Sequence, residues 1–339
     1  MTMNKIIDLY LKNNSSTSKS TKITLLQGLK RLEKIKSKKF DDLTSKDFEN
    51  VDNTIDEVTE MYSLNTTIST ILAINKFLDF KTGNKELILK YKEILNELIK
   101  KRNSNQITQT FKNDEKDNWI DYLKLKSMVE KFSVEYLNKK KSFTDYRNFL
   151  ILSLFVLIPP ARIGNYLDMI KKDDNIMKQK IDSLPKKYNY IVKTGDTYTL
   201  IFNQYKTSKI LGKVKYNIKN NILNNLLKKY LEDYNNLDKN KFFMINKSGK
   251  PMSQTNFTNS QGSITKKLFK KQITNNMFRR IFFTWFLSTN PSIQEKMTIL
   301  KISGQNYKAS TVEKYDRSES INDSKEVNND VLSSNLIKL

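Results

Sequence analysis

Residues 149–165 read FLILSLFVLIPPARIGN, and this stretch decides much of the fold. The part FLILSLFVL is apolar enough to form a buried helix, but it contains Ser153 and is too short to span a bilayer. Pro159 and Pro160 then end or kink the helix, because Pro160 lacks an amide hydrogen and forces its predecessor toward extended geometry. We therefore predict a rigid core helix, after which Arg162 turns outward.

The charge of the chain points to a polyanionic partner. Lys and Arg number 60 against 36 Asp and Glu, which gives a net charge of +24. Such an excess favours nucleic acid first and an anionic membrane surface second. Cysteine and histidine do not occur in the sequence, so disulfides, Cys/His zinc sites and histidine-based catalytic triads are excluded. With no signal peptide at the polar start, we expect an intracellular protein without a membrane partner.

The length of 339 residues favours two domains, and helical patterns dominate the first third of the chain. We predict an all-α domain over 1–103, followed by a polar linker at 104–116. Apolar residues at helical spacing, capping residues and the position of Gly83 define its four predicted helices. They lie at 20–35, from 43–48 onward, at 66–80 and at 85–101.

The second domain is predicted at 117–317, with a polar tail at 318–339. Helices are expected from about Asn118, at 144–158 and at 277–288. Between them, residues 188–218 are rich in Tyr, Ile, Val, Phe and Thr and are divided by turns into three strands. The predicted fold class is therefore mainly α with a small antiparallel β-sheet (α+β).

Four residues stand out by their context. Arg162 follows the buried helix in ARIGNYLDM (161–169), and Lys206 lies at a hairpin tip in YKTSK (205–209). Arg279 lies in the first turn of the helix that contains FRRIFFTWFL (278–287), and Tyr315 ends the segment STVEKY (310–315), where we predict a short helix.

The order Arg, hairpin Lys, helical Arg and Tyr resembles the catalytic domain of the tyrosine recombinase and integrase family. The preceding LIPP (157–160) is similar to the variant found in large DNA viruses, virophages and some eukaryotic mobile elements. The N-terminal helices, with TTISTILAINKFLDF (66–80), resemble the family's core-binding domain. Together these similarities cover roughly residues 16–317.

The resemblance implies an enzyme that breaks and rejoins DNA without metal, ATP or any other cofactor. Tyr315 would attack a backbone phosphorus and form a 3′-phosphotyrosyl intermediate that stores the bond energy. The guanidinium forks of Arg162 and Arg279 would bind the phosphate oxygens, and Lys206 would protonate the leaving 5′-oxygen. The implied partners are double-stranded DNA and further copies of the chain, as a homo-tetramer on paired sites. The implied location is at DNA, in a viral factory or in the host nucleus or cytoplasm.

Several positions depart from the family pattern. Asn276 stands where the family usually has His or Lys. Gln305 or Asn306 stands where it usually has His or Trp, and Asn165 stands where it usually has an acidic residue. Asn276, Gln305, Asn306 and Arg280 remain possible phosphate contacts, because amides and guanidinium groups can donate hydrogen bonds.

Competing assignments stay open at this point. Arg280 competes with Arg279, Tyr307 with Tyr315, and Lys209 and Lys213 with Lys206. Two other functions also remain. One is a type IB DNA topoisomerase, which uses the same chemistry as a monomer, and the other is a catalytically silent DNA-binding relative.

Overall fold

Two units with separate hydrophobic cores make up the chain, residues 1–107 and 108–339. The structure is a computed structural model, and the residues that it describes are 2–13, 19–107, 111, 115–173, 181–235, 241–305, 315–319 and 321. None of the described helices is long and apolar enough to cross a membrane.

The first unit is a set of α-helices around one apolar core. Their bounds are α1 Met3–Asn13, α2 Lys19–Lys36, α3 Val51–Met61, α4 Leu64–Phe77 and α5 Lys85–Ile107. Helices α2, α4 and α5 match the predicted helices. Helix α1 has no predicted counterpart, although Ile6 and Ile7 from it are buried in the core.

Two features of this unit differ from the sequence predictions. The motif at 43–48 forms only a 3-10 turn, Ser45–Phe48, in which the Asp47 carboxylate accepts a hydrogen bond from the Thr44 amide at 2.8 Å. The next α-helix begins later, where the Asn50 side chain accepts from the amide of Asn53 at 3.1 Å. Helix α5 continues to Ile107, so the first residues of the predicted linker are helical.

Close packing of α2 against α4 depends on Gly28. A Cβ atom at this position would lie 2.6 Å from the Cβ of Ala73, which is closer than real Cβ contacts allow. Glycine is therefore required here by the approach of the two helices, because any side chain would force them apart.

The second unit surrounds the predicted core helix. Its helices are α6 Glu115–Asn118, α7 Tyr122–Asn138, α8 Phe143–Val156, α9 Ser208–Leu211, α10 Asn221–Lys229, α11 Gln254–Phe269, α12 Asn275–Ser288 and α13 Ile293–Ile302. From Tyr146 to Val156, every residue of α8 is buried. The helix ends before Pro159, as predicted, and the backbone amide of Leu157 donates to the Ser153 carbonyl at 2.8 Å.

A four-stranded sheet in the order β1-β2-β3-β4 completes this unit. Its strands are β1 Ile170–Lys172, β2 Tyr190–Thr194, β3 Thr197–Phe202 and β4 Val214–Asn217. The α+β class is confirmed, but the sheet is mixed and not purely antiparallel. Strands β2 to β4 form antiparallel pairs, whereas β1 pairs with β2 in parallel. Three residues are too few to show the alternation that predicts a strand, so β1 was not expected.

Candidate active site

Arg162 lies where the chain leaves the core helix. It is the N-cap of a 3-10 turn, Ile163–Asn165, and its backbone is extended. The guanidinium donates from Nη1 to the Gly304 carbonyl at 2.7 Å and from Nη2 to Oε1 of Gln305 at 2.9 Å. Arg162 is thereby fixed against the segment that follows α13.

The C-terminal cap of α13 presents the carbonyls that receive both arginines. Gly304 adopts a positive φ of 65°, its amide donates to the Lys301 carbonyl, and the Gln305 amide donates to the Leu300 carbonyl. This is the left-handed helix ending that glycine favours. The negative end of the helix and its free carbonyls suit contact with cations.

Arg279 belongs to α12 and is almost completely buried, with an exposed fraction of 1%. Its Nη1 donates to the Pro160 carbonyl at 3.1 Å, and its Nη2 donates to the Ser303 carbonyl at 3.2 Å. It is the fifth residue of the helix, so the expectation that it lies in the first turn is wrong by one position. The guanidinium connects the segment after α8 with the end of α13.

Lys206 lies in the connection between β3 and β4, with its side chain exposed. The neighbouring Thr207 hydroxyl donates to the Gly304 carbonyl at 3.0 Å, which ties this connection to the same carbonyl that binds Arg162. Of the competing lysines, Lys213 forms an ion pair with Asp182 at 2.6 Å. Lys209 is exposed and is not among the residues that line the cavity described next.

A polar cavity of about 400 Å³ brings these cationic groups together. Its lining consists of Arg162, Ile163, Gly164, Asn165, Tyr205, Lys206, Gln254, Asn275, Asn276 and Arg279. Among these described residues none is acidic. In the described part of the chain, Nδ2 of Asn165 and Nε of Arg279 are buried donors without a hydrogen-bond partner, and Oδ1 of Asn275 is a buried acceptor without one. Three cationic side chains and unpaired donors make this cavity suited to an anion.

Tyr315 lies beside the two arginines. Its hydroxyl accepts a hydrogen bond from Nε2 of Gln305 at 2.9 Å, and the Oε1 of the same amide accepts from Arg162. The guanidinium carbon of Arg279 is 5.2 Å from the centroid of the phenol ring. Tyr315 itself is in a turn and not in the predicted helix, while 306–314 lie outside the described residues.

The electrostatic surroundings of Tyr315 favour its ionised form. Burial acts to raise the pKa of the phenol, but the charge of Arg279, the hydrogen bond from Gln305 and the charge of Arg162 together hold this pKa below its usual value of 10.0. Because a lower pKa means more phenolate at a given pH, the site increases the fraction of Tyr315 present as phenolate, the more nucleophilic form of a tyrosine side chain.

We expect Tyr315, which is partly buried, to ionise at lower pH than the buried tyrosines. Burial raises the pKa of Tyr91 to about 12 and those of Tyr122 and Tyr146 further still. Ultraviolet difference titration of the protein against Tyr315→Phe should therefore reveal one tyrosinate that forms below pH 10. A difference spectrum that appears only above that pH would contradict the placement of Tyr315 beside the arginines.

The remaining predicted residues fall into four groups. Asn276 lines the cavity as the second residue of α12, whose N-terminal cap is Thr274. Gln305 is buried between Arg162 and Tyr315, so its amide already has two partners. Arg280 forms an ion pair with buried Glu115 and is not among the residues that line the cavity. Asn306 and Tyr307 lie outside the described residues.

Asn189 is a residue of the site region that sequence reasoning missed. Its buried amide donates to the carbonyls of Asn165 and Gln204 at 2.9 and 2.8 Å and accepts from the amides of Asn203 and Gln204 at 2.8 and 2.7 Å. It thus joins the turn after Arg162 to the connection that carries Lys206. The available signal was an asparagine at the start of an apolar strand, where this residue type is depleted.

Replacing Asn189 with alanine is expected to lower the free energy of unfolding of the second unit by about 2–4 kcal/mol, because it leaves several buried or partly buried backbone groups without partners. Both tryptophans, Trp119 and Trp285, belong to this unit, so urea unfolding followed by tryptophan fluorescence reports on it. The matched control is Asn256→Ala at an exposed position of α11. Equal stability of the two variants would contradict the assigned role.

Similarity to known proteins is found among solved structures. No family model matches the sequence, and no curated protein matches it. Among solved structures, the chain is similar to the crystal structure of XerA recombinase, with 14% sequence identity and a TM-score of 0.37, over 96% of this chain and 98% of that chain. A similarity at this level does not establish a function.

Within the described part of the chain, no group of three or more acidic side chains is arranged to hold a metal ion.

Proposed function

We propose that this protein is a DNA strand transferase of the tyrosine recombinase type, which cleaves and rejoins duplex DNA through Tyr315. The observation that carries the proposal is the cavity in which Arg162, Lys206 and Arg279 meet without an acidic residue among its described lining. A phosphodiester fits this donor set, because two guanidinium forks and an ammonium group can neutralise and orient its oxygens. The net charge of +24 favours DNA as the molecule that carries it.

The reaction begins with attack of the Tyr315 hydroxyl oxygen on a backbone phosphorus. The oxygen–phosphorus bond of the phosphotyrosine forms, the bond from phosphorus to the 5′-oxygen breaks, and the phenolic proton passes to water. One phosphodiester replaces another, so attack by a 5′-hydroxyl reverses the step without an external energy source. Gln305 holds the Tyr315 hydroxyl but cannot accept its proton, because a neutral amide is not a base.

Arg162 and Arg279 stabilise the charge that gathers on the non-bridging oxygens in the transition state. Both are fixed beforehand by backbone carbonyls, so they need little reorganisation when the reaction occurs. The start of α12 adds to this effect, because Asn275 and Asn276 line the cavity at the positive end of a 14-residue helix.

Lys206 donates the proton that the leaving 5′-oxygen requires. Its exposed side chain lies on the rim of the cavity, and Thr207 anchors its backbone to the Gly304 carbonyl. A lysine in this place combines a mobile ammonium group with an anchored backbone. This combination suits proton delivery to a bound nucleic acid.

The biological role proposed for this activity is integration or resolution of a viral or mobile-element genome by a homo-tetramer on paired DNA sites inside the cell. A second candidate, a silent DNA-binding relative, is favoured by one observation. Side-chain amides occupy the positions where the family usually has histidines. The amide of Gln305 already forms hydrogen bonds with Arg162 and Tyr315.

A nicked suicide duplex, from which the short 5′-hydroxyl fragment dissociates after cleavage, tests the proposal. We expect a covalent protein–DNA adduct with the wild type and with Tyr188→Phe, a half-buried tyrosine of the same unit. Tyr315→Phe should bind the duplex but form no adduct, and an undiminished adduct in this variant would contradict the proposal. DNA binding without any wild-type adduct would favour the silent relative, and relaxation of supercoiled plasmid by a monomer would favour a type IB topoisomerase.

A further inference from the structure

A buried ionic cluster lies directly beside Tyr315 and is separate from the cavity. Glu115 has an exposed fraction of 4% and Arg317 of 0%. The Glu115 carboxylate pairs through Oε1 with Nη1 of Arg280 and through Oε2 with Nε of Arg317 at 3.1 Å. We call these three residues the Glu115 cluster. It lies within the second unit and joins α6, α12 and the segment that carries Tyr315.

The segment after Tyr315 is held from two sides. On one side, Thr284 of α12 accepts a hydrogen bond from the Arg317 amide at 3.0 Å, and its hydroxyl donates to the Tyr315 carbonyl at 3.3 Å. On the other side, the Arg317 guanidinium reaches Glu115 and also donates to the Asp316 carbonyl at 2.5 Å. The backbone on either side of residue 316 is thereby fixed to the same helix that carries Arg279.

The free energy of burying these charges indicates that the cluster defines a geometry and does not mainly add stability. Burying one carboxylate with two guanidinium groups costs desolvation energy, and well-packed apolar side chains would give similar or greater stability. What ionic and hydrogen-bonding groups add is one defined geometry for the chain. The side chain that depends most on this geometry is Tyr315, because its hydroxyl must lie within a few tenths of an ångström of its reactive position.

We infer that the Glu115 cluster positions Tyr315 for attack, with Glu115 and Arg317 acting as positioning residues that touch neither DNA nor the reacting atoms. This inference rests on the proposed function. The cluster holds the Tyr315 phenol against Arg279 and Gln305. Loss of the Glu115 charge therefore releases the phenol from these two residues. Arg280 serves this cluster and not the phosphate, which explains why it is not among the residues that line the cavity.

Glu115→Gln tests this role, because it keeps the shape of the side chain and removes its charge. We expect single-turnover cleavage of the suicide duplex to slow about 10- to 100-fold with the affinity for DNA unchanged, as for a displacement of about 1 Å. We also expect the Tyr315 phenol to titrate at higher pH, measured as the difference spectrum between Glu115→Gln and Glu115→Gln with Tyr315→Phe. Glu135→Gln, which breaks the partly exposed pair with Lys141, should change neither quantity.

Several outcomes would overturn the inference. An unchanged titration of Tyr315 would show that the cluster does not hold the phenol, and an unchanged cleavage rate would show that the held geometry does not matter for attack. The titration needs no DNA, so it tests the cluster even if the wild type forms no adduct and the proposed function fails.

A second variant keeps the test informative if Glu115→Gln does not fold. Arg280→Met leaves the pair between Glu115 and Arg317 intact and should give smaller changes in the same direction. Weaker DNA binding with an unchanged tyrosine titration would instead make Arg280 a phosphate contact and contradict its place in the cluster.

Discussion

Arg162→Ala is expected to slow DNA cleavage about 10²- to 10³-fold while the affinity for duplex DNA changes only severalfold. The reason is that its guanidinium lines the cavity and is fixed to the Gly304 carbonyl and to Gln305 before any ligand arrives. A preorganised donor contributes far more to a charged transition state than to ground-state binding. Single-turnover cleavage, with binding followed separately by fluorescence anisotropy, measures the two effects.

Arg162→Lys is the matched variant for this experiment. It retains the charge but loses the planar fork that contacts two oxygens at once, so we expect an intermediate rate. The melting temperature should fall in both variants, because the Gly304 carbonyl and Gln305 lose a partner. A cleavage rate within threefold of the wild type in Arg162→Ala would remove Arg162 from the proposed transition state.

Lys206→Ala is expected to lose about 10²- to 10⁴-fold in cleavage rate on ordinary DNA and to recover most of that loss on DNA with a sulfur atom in place of the bridging 5′-oxygen. A thiolate leaves without a proton, so only the role of general acid becomes dispensable on this substrate. The sulfur substrate removes the need for proton donation but does not restore a lost attraction between Lys206 and the phosphate. The comparison of the two substrates therefore separates these two roles.

Lys209→Ala is the control for Lys206, because it lies three residues away in the same connection and does not line the cavity. It should cleave both substrates at rates close to those of the wild type. Equal losses in Lys206→Ala on the oxygen and sulfur substrates would contradict the assignment of the general acid. A loss in Lys209→Ala that the sulfur substrate rescues would move this role to Lys209.

The parts of the site that the sequence predicts are those set by local pattern. The apolar run before Pro159 is sufficient to place a buried helix and a turn at Arg162, and the structure agrees with both. The strands around Lys206 follow from alternating side chains, so the connection that carries it was also predictable.

The parts that the sequence does not predict depend on contacts between distant residues. Arg317 and Glu115 are 202 positions apart, and neither belongs to a motif that indicates the pairing. Asn189 is an isolated amide in the sequence, and its importance appears only when its partners at Asn165 and Gln204 are brought together. The parallel pairing of β1 likewise depends on the path of the chain and not on its three residues.

Identification of the residue that becomes covalently attached to DNA tests the central claim most directly. The adduct from the suicide duplex is digested with protease and nuclease, and the peptide that retains a 3′-linked nucleotide is sequenced by mass spectrometry. We predict that the nucleotide is attached to Tyr315. Attachment to Tyr307 or to any other residue would contradict the account, because the arginines, Lys206 and the Glu115 cluster would then surround the wrong side chain.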